Sequence, residues 1–158
     1  MLALLVTGCA SVPAPSAPSV PANFPPNALV TQRAILTARG RQYALNGYLA
    51  LSESGGKRLI VAQSFGQAVA DILVSPDGIV HVLRSSPMVR PAWAERYLAS
   101  DLQCLVGAGE TKDCPLRTLS PSHFVIKRRW YELDVQIVEI KPGSQPAELF
   151  DPGSSSRP

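Results

Sequence analysis

The sequence has few charged residues and no long apolar run. Only 17% of its 158 residues are charged, compared with roughly 25% in an ordinary soluble domain. The net charge of +3 is too small and too dispersed for a nucleic-acid binder, which gains affinity by neutralising phosphates. No apolar run approaches the ~18 residues that a membrane-spanning helix needs. We therefore expect neither a transmembrane helix in this sequence nor a nucleic-acid partner.

Residues that bind metals or perform catalysis are also scarce. Two histidines and three cysteines leave few ligands for a metal site, and there is no G-x-S-x-G nucleophile motif. A catalytic triad needs a histidine within hydrogen-bond reach of both a nucleophile and a carboxylate, and we interpret His81 and His123, which lie in strand-like segments, as satisfied or surface residues. Asp71, Asp101 and Asp134 do not have the spacing of paired carboxylates, and we interpret them as turn or edge residues. We therefore expect neither a metal nor an enzymatic activity, and a hydrolase is the least favoured alternative.

The first nine residues carry the most specific signal. Residues 1–8 are uncharged and almost wholly apolar, and they end in Thr7-Gly8 before Cys9. A signal peptidase requires such small residues before its cleavage point. Residues 6–9 resemble the lipobox of bacterial lipoproteins, which implies diacylglycerol on the Cys9 sulfur and an acylated amino group after cleavage. Because a basic n-region is missing, we interpret residues 1–8 as part of a signal peptide; the alternative is a disordered terminus with an incidental cysteine.

A proline-rich stretch follows the cysteine. Residues 10–27 contain six prolines among Ala, Ser and Val, and no charged residue. Such a composition buries too little surface to fold and forms an extended tether, ~3.1 Å per residue and on the order of 55 Å long. We therefore divide the chain into a partial signal peptide at 1–8, a lipidated cysteine with its tether at 9–27, a β domain at 28–141 and a disordered tail at 142–158.

The other two cysteines form an even pair. An exported chain enters a compartment that permits disulfides, so we predict a bridge between Cys104 and Cys114. A closed loop of about ten residues stabilises a fold by roughly 2–3 kcal/mol in the chain-entropy treatment. Two free thiols are the alternative.

Short segments with alternating polarity make up the predicted β domain. Leu45, Leu49 and Leu51 share one face of their segment, and Phe124, Ile126 and Trp130 share another. This period of two indicates strands that are packed on one side. The predicted strands are 28–38, 43–52, 58–64, 67–75, 79–84, 116–119, 122–129 and 132–141.

One segment has helical periodicity instead. Residues 91–106 begin with Pro91, which suits the first helical position, and their apolar residues recur at three- and four-residue spacing. Gly107 follows and is suited to end a helix. The sequence therefore predicts a mainly β (α+β) fold, in which one amphipathic helix packs on a strongly curved antiparallel sheet or incomplete barrel of about eight strands.

The hairpin at residues 69–83 and the helical residues 93–103, together with the lipobox and the tether, resemble the LolA/LolB superfamily of envelope lipoprotein carriers. The closest likeness within it is to a family of small lipoproteins of unknown function, often encoded among genes for aryl-polyene pigments. The resemblance implies a half-open barrel whose apolar interior accepts acyl chains. It also implies an exposed apolar loop that assists cargo insertion, for which the candidate is Ser85–Val89; an ordinary connector is the alternative.

The single apolar face of each predicted strand defines a set of candidate cavity residues. Trp93 and Tyr97 of the helix are expected to close over the strand residues of this set. The strand residues are Leu45, Leu49, Leu51, Phe124, Ile126, Leu133 and Val135. Aromatic residues are only 6% of the chain, so the same side chains could instead fill a packed core. The sequence leaves these two alternatives open.

The anchor and the resemblance together define the expected function. We expect a monomeric lipoprotein on the periplasmic side of a Gram-negative outer membrane, because the residue after Cys9 is Ala10 rather than Asp, which resembles the sorting signal of enterobacterial lipoproteins in that membrane. It would bind an acyl or polyene-lipid moiety, or a lipoprotein, and assist its delivery, with no cofactor apart from the lipid on Cys9. The basic run at 127–129 would be a solvated strand face or contact anionic lipid. The alternative function is a scaffold lipoprotein that recruits an envelope or biosynthetic protein partner.

Overall fold

Eight antiparallel strands form one open sheet in the computed structural model, which describes residues 24–107 and 114–153. The strands are β1 (Ala28–Ala38), β2 (Arg41–Leu51), β3 (Lys57–Gln63), β4 (Ala68–Val74), β5 (Val80–Ser85), β6 (Leu116–Ser120), β7 (His123–Lys127) and β8 (Tyr131–Pro142). Their order in the sheet is β5-β4-β3-β2-β1-β8-β7-β6, so β5 and β6 are its edges. The predicted mainly β fold is confirmed, and the sheet does not close into a barrel.

One helix of the described residues, α1, covers one face of this sheet. It runs from residue 91 to 106, as Pro91–Trp93, a five-residue π-helical segment at Ala94–Leu98, and Ala99–Val106. Pro91 occupies the first turn, and Gly107 ends the helix with a φ of 71°. Because α1 lies between the two edge strands in the sequence, the chain must cross the sheet there. We call the face that α1 covers the inner face.

The core lies between α1 and the inner face in two adjoining clusters. In the larger cluster, Ala94, Ala99 and Leu102 of α1 pack against the buried residues of β1 to β4, which include Leu49 and Leu51. The smaller cluster joins the end of α1 to the strands at the other edge; its members are Leu105, Leu116, Phe124, Ile126 and Val135. Alternation along the strands therefore brings these side chains to one face, as the sequence predicted.

Phe24 extends the domain toward the N-terminus. Its side chain packs against both core clusters, although the predicted tether ran to residue 27. An aromatic ring buries far more apolar area than the prolines around it, which explains why the chain becomes part of the domain at this residue. Cys9 and most of the predicted tether lie outside the described residues.

The segment after β8 contradicts the predicted disordered tail as far as residue 153. Ala147–Phe150 forms a 3-10 turn against β3, and Arg58 donates a hydrogen bond from Nη1 to the Leu149 carbonyl at 3.1 Å. Arg58 also donates to both carboxylate oxygens of Asp71 at 3.0 and 2.8 Å. Leu149 and Phe150 are partly buried, and the Leu149 carbonyl is bound by the ion-paired Arg58. These contacts order the segment after β8, although its proline and serine content indicated disorder. Residues 154–158 lie outside the described part of the chain.

The structure joins Cys104 and Cys114 in a disulfide with 5.6 Å between their Cα atoms. We predict that replacing both cysteines by alanine lowers the free energy of unfolding by ~2–3 kcal/mol, because the bridge restricts the unfolded chain. Urea denaturation of the exported protein measures this loss. Thiol counting on unfolded, unreduced protein should find neither cysteine reactive, and two reactive thiols would contradict the bridge.

Candidate functional site

An open cavity of about 570 Å³ lies between the inner face and the first half of α1. It forms where β2 extends past its neighbour, since β3 pairs with β2 only from Leu45 to Leu51 and leaves the beginning of β2 uncovered. The wall is mainly apolar. Its residues are Leu36, Ala38, Arg39, Tyr43, Leu45, Val61, Gln63, Val69, Ala70, Met88, Val89, Arg90, Trp93, Leu98, Asp101, Trp130, Tyr131 and Leu133.

Three of the predicted cavity residues line this space and the others do not. Leu45, Trp93 and Leu133 are in the wall. The prediction is wrong for those that lie in the packed core, where the second half of α1 fills the space above the strands; these are Leu49, Leu51, Phe124, Ile126 and Val135, each at most 5% exposed. The inner face is therefore a packed core at one end and an open cavity at the other.

Tyr97 supports the wall without being part of it. Its ring centroid lies 6.0 Å from that of Trp93 and 6.4 Å from that of Tyr131, and the centroids of Trp93 and Tyr131 are 5.4 Å apart. Tilted and edge-on rings at these distances attract one another. The three rings link the first two turns of α1 to the start of β8, and Trp93 and Tyr131 form that side of the cavity wall.

A buried polar cluster fixes α1 beside the cavity. Asp101 of α1 is 2% exposed, and its Oδ1 accepts hydrogen bonds from Nε and Nη2 of Arg128 at 3.0 and 2.8 Å. The Tyr131 hydroxyl donates to the other carboxylate oxygen, and Arg128 also donates to Ser100 Oγ at 3.1 Å. The prediction of Asp101 as a turn or edge residue is wrong, because its charge is compensated within the interior.

Burial raises the pKa of the Asp101 carboxyl group, although the contacts from Tyr131 and Arg128 act in the opposite direction. Burial also raises the pKa of the Tyr131 hydroxyl, and the adjacent Asp101 carboxylate adds to this rise. The tyrosine therefore stays protonated and remains a donor. The cluster is a fixed polar support in an otherwise apolar wall.

We predict a specific pH dependence of stability from Asp101. A folded pKa above the unfolded value means that the native state holds more protons, so the unfolding free energy falls as the pH rises from about 4 through the folded pKa. Asp101→Asn removes this slope. In urea titrations, the stability advantage of the wild type over Asp101→Asn should therefore grow when the pH is lowered from 7 toward 4. If the stability advantage of the wild type instead shrinks on acidification, the pKa of Asp101 in the folded protein lies below its usual value, and the prediction is wrong.

The connections around the opening of the cavity lie at one end of the sheet. Since the strands alternate in direction, the segments 39–40, 64–67, 86–90 and 128–130 all emerge there. We call these four segments the mouth. Three large apolar side chains of the mouth are exposed: Phe65 (97%), Trp130 (63%) and Met88 (60%). They are the three most exposed large apolar side chains among the described residues, and exposed apolar groups that lie together are typical of a surface that contacts a membrane or another molecule.

The sequence predicts only part of this surface. The predicted loop Ser85–Val89 supplies Met88, which also lines the cavity. Phe65 was missed, although an aromatic residue in the turn Ser64-Phe65-Gly66 is a usable signal because turns are exposed. Trp130 was predicted on the buried face, which is wrong. Strand β7 ends at Lys127, and Trp130 projects from the turn with the Arg129 guanidinium 4.7 Å from its ring centroid.

The other aspartates predicted at turns or edges lie inside the sheet instead, Asp71 in β4 and Asp134 in β8. His123 Nε2 lies 2.9 Å from Asp134 Oδ1, between β7 and β8. Residues 24–107 and 114–153 contain no cluster of three or more His, Cys, Asp and Glu side chains suited to a metal ion. They also contain no helix that is long and apolar enough to span a membrane. No protein-family model matches the sequence, and no curated protein matches it.

Proposed function

We propose that this protein is a lipoprotein of the outer membrane that faces the periplasm, binds an acyl or polyene-lipid moiety or a lipoprotein, and assists its delivery. The open apolar cavity is the observation that carries the proposal. Its volume of about 570 Å³ falls within the roughly 300–1,000 Å³ of sites that hold one small ligand. The resemblance to envelope lipoprotein carriers supports the same function.

Burial of an acyl chain supplies the binding free energy. Each methylene group removed from water contributes ~0.8 kcal/mol, so ten methylenes contribute on the order of 8 kcal/mol before the costs of association. Leu45, Val61 and Val69 offer this environment on the strand side of the cavity, and Trp93 and Leu98 offer it on the helix side. The cavity thus favours a long apolar group over a compact polar one.

The mouth supplies a route between cavity and membrane. Phe65, Met88 and Trp130 project there, and Met88 and Trp130 also belong to the cavity wall. Exposed Trp and Phe side chains are stable at the boundary between lipid headgroups and acyl chains, because that boundary is partly apolar. A mouth of this kind would let an acyl chain pass from the bilayer to the cavity without crossing water.

We predict that Leu45→Trp abolishes the binding of an apolar fluorescent dye and of palmitate with little loss of stability. The added volume enters the cavity, because Leu45 lines it. Tyr48→Trp is the matched control on the same strand, since Tyr48 is 44% exposed on the opposite face and should leave binding unchanged. Leu49→Trp should overpack the core and destabilise the fold by ~1–3 kcal/mol, because Leu49 is fully buried.

The same measurements of dye and palmitate binding test the alternative function, a scaffold. A wild-type protein that binds neither dye nor palmitate, with a Leu45→Trp variant that behaves identically, would contradict a carrier. A scaffold that recruits an envelope or biosynthetic protein would then take its place, with Phe65, Met88 and Trp130 as its contact surface.

The proposed anchor is tested at Cys9. When the chain is expressed in a Gram-negative host behind a full-length lipoprotein signal peptide, Cys9→Ser should move the protein from the membrane fraction to the soluble fraction or leave it unprocessed, because serine has no thiol for the lipid. Membrane fractionation and intact-mass measurement check this. A mature wild-type chain whose mass includes no lipid would contradict the anchor, and wild-type protein found only in the inner membrane would contradict the localisation.

A further inference from the structure

The charges around the cavity are not balanced. Among the described residues, its wall contains three charged side chains: Arg39, Arg90 and Asp101. Asp101 is already neutralised, because Arg128 binds its carboxylate at 2.8 Å. Arg39 and Arg90 are exposed, and neither has an ion pair or a side-chain hydrogen bond within the described ranges. The opening of the cavity therefore carries two guanidinium groups without a carboxylate to neutralise them.

Arg39 also occupies a position that local structure does not favour. It forms the two-residue turn between β1 and β2 with Gly40, and the φ angles of the two residues are 50° and 74°. A hairpin turn with positive φ at both positions favours Asn-Gly, because the Cβ of other residues is crowded there. The other described residue with positive φ that is not glycine is Asn27, which tolerates it. An arginine held in this conformation beside a cavity points to a role in that cavity.

The volume limits how much of a lipid fits. At roughly 30 Å³ for a group the size of a water molecule, a cavity of about 570 Å³ holds on the order of twenty such groups. One long acyl chain has this number of carbon atoms and fills the cavity, whereas the further chains of a lipid with two or three would extend through its opening into water. The cavity is therefore matched to a single chain, with the two arginines at the point where its head group would emerge.

We propose that the ligand is a single-chain amphiphile with an anionic head group, a carboxylate or a phosphate, which Arg39 and Arg90 bind at the mouth. This inference rests on the proposed acyl-binding function and narrows its ligand to the acyl or polyene-lipid moiety, because a lipoprotein carries more than one acyl chain. A guanidinium group donates paired, charge-assisted hydrogen bonds to either anion. The apolar wall takes the chain, and the unbalanced positive charge at the mouth fixes which end of the molecule enters.

Three probes with the same sixteen-carbon chain test the proposal: palmitate, hexadecyl phosphate and hexadecanol. Displacement of an apolar fluorescent dye from the wild-type protein measures their affinities. At least one anion should bind about tenfold or more tightly than hexadecanol, since hydrogen bonds to a charged group contribute more than those to a hydroxyl. This advantage should decrease at high salt. A preference for palmitate or for hexadecyl phosphate identifies the head group.

Two variants assign the effect to the arginines. Arg39→Asn and Arg90→Gln should each reduce the advantage of the anion, and the double variant should bind it no better than hexadecanol. Because asparagine suits the turn at residue 39, Arg39→Asn should unfold at the same or a higher Tm, so weaker binding would not reflect unfolding. Arg33→Gln is the matched control, since Arg33 is an exposed arginine on the other face of β1.

The outcomes separate this inference from the proposed function. Equal binding of all three probes by the wild type, or an anion preference that survives in the double variant, overturns the anionic ligand and leaves acyl binding intact. Binding of none of the three probes overturns the proposed function and this inference with it.

Discussion

A single short helix has to cover the inner face of an eight-stranded sheet, and the rest of the structure follows from this mismatch. Sixteen helical residues extend only ~24 Å and form a rod ~10 Å wide. Eight strands at ~4.8 Å spacing make a sheet ~34 Å across, and the eleven residues of β1 extend ~36 Å. Curvature brings the edge strands within reach of α1, but one helix still leaves part of the inner face uncovered. That uncovered part is the wall of the cavity.

The position of α1 decides which part stays open. Ala94 and Ala99 let the helix approach the strands closely, and Leu102 and Leu105 fill the core toward its C-terminal end. The contacts of Asp101 with Arg128 and Tyr131 hold the middle of the helix to the start of β8. Such a buried cluster resists displacement, because separating its members would leave a charge without a partner. The proposed ligand would therefore have to enter beside α1 while the helix stays in place.

The sequence predicted the elements well because both structural periods are visible in it. The bounds of β1 and of the helical residues 91–106 agree with the prediction, and Leu49 and Phe124 were placed on the correct face. The alternation of apolar and polar residues shows only which face of a strand is buried, however. It does not show at which point along the strand the helix crosses. Leu45 and Leu49 are both apolar residues on the same face of the alternating pattern, yet Leu45 lines the cavity and Leu49 is buried within the core.

The residues that sequence analysis missed depend on contacts between distant parts of the chain. Asp101 is buried because Arg128, 27 residues away, reaches it, and Phe24 and Leu149 are ordered by strands far from them in sequence. Phe65 and Trp130 belong to the same surface only because alternating strands return their turns to one end of the sheet. A local pattern predicts an element, but it does not predict which turns meet.

The geometry also sets a requirement on the proposed anchor. β1 begins at the end of the sheet opposite the mouth, because Ala28 pairs with Leu51 while Ala38 pairs with Arg41. An anchored chain therefore enters the domain ~36 Å from the mouth, the extended length of β1. Phe24 is already packed in the core, so a tether of the proposed kind would consist of residues 10–23 and, at ~3.1 Å for each of fourteen residues, would reach ~43 Å. This length slightly exceeds the length of the domain along β1. A tether of this length would let the mouth turn back to the membrane that holds Cys9, or face away from it, which a carrier needs and a rigidly mounted scaffold does not.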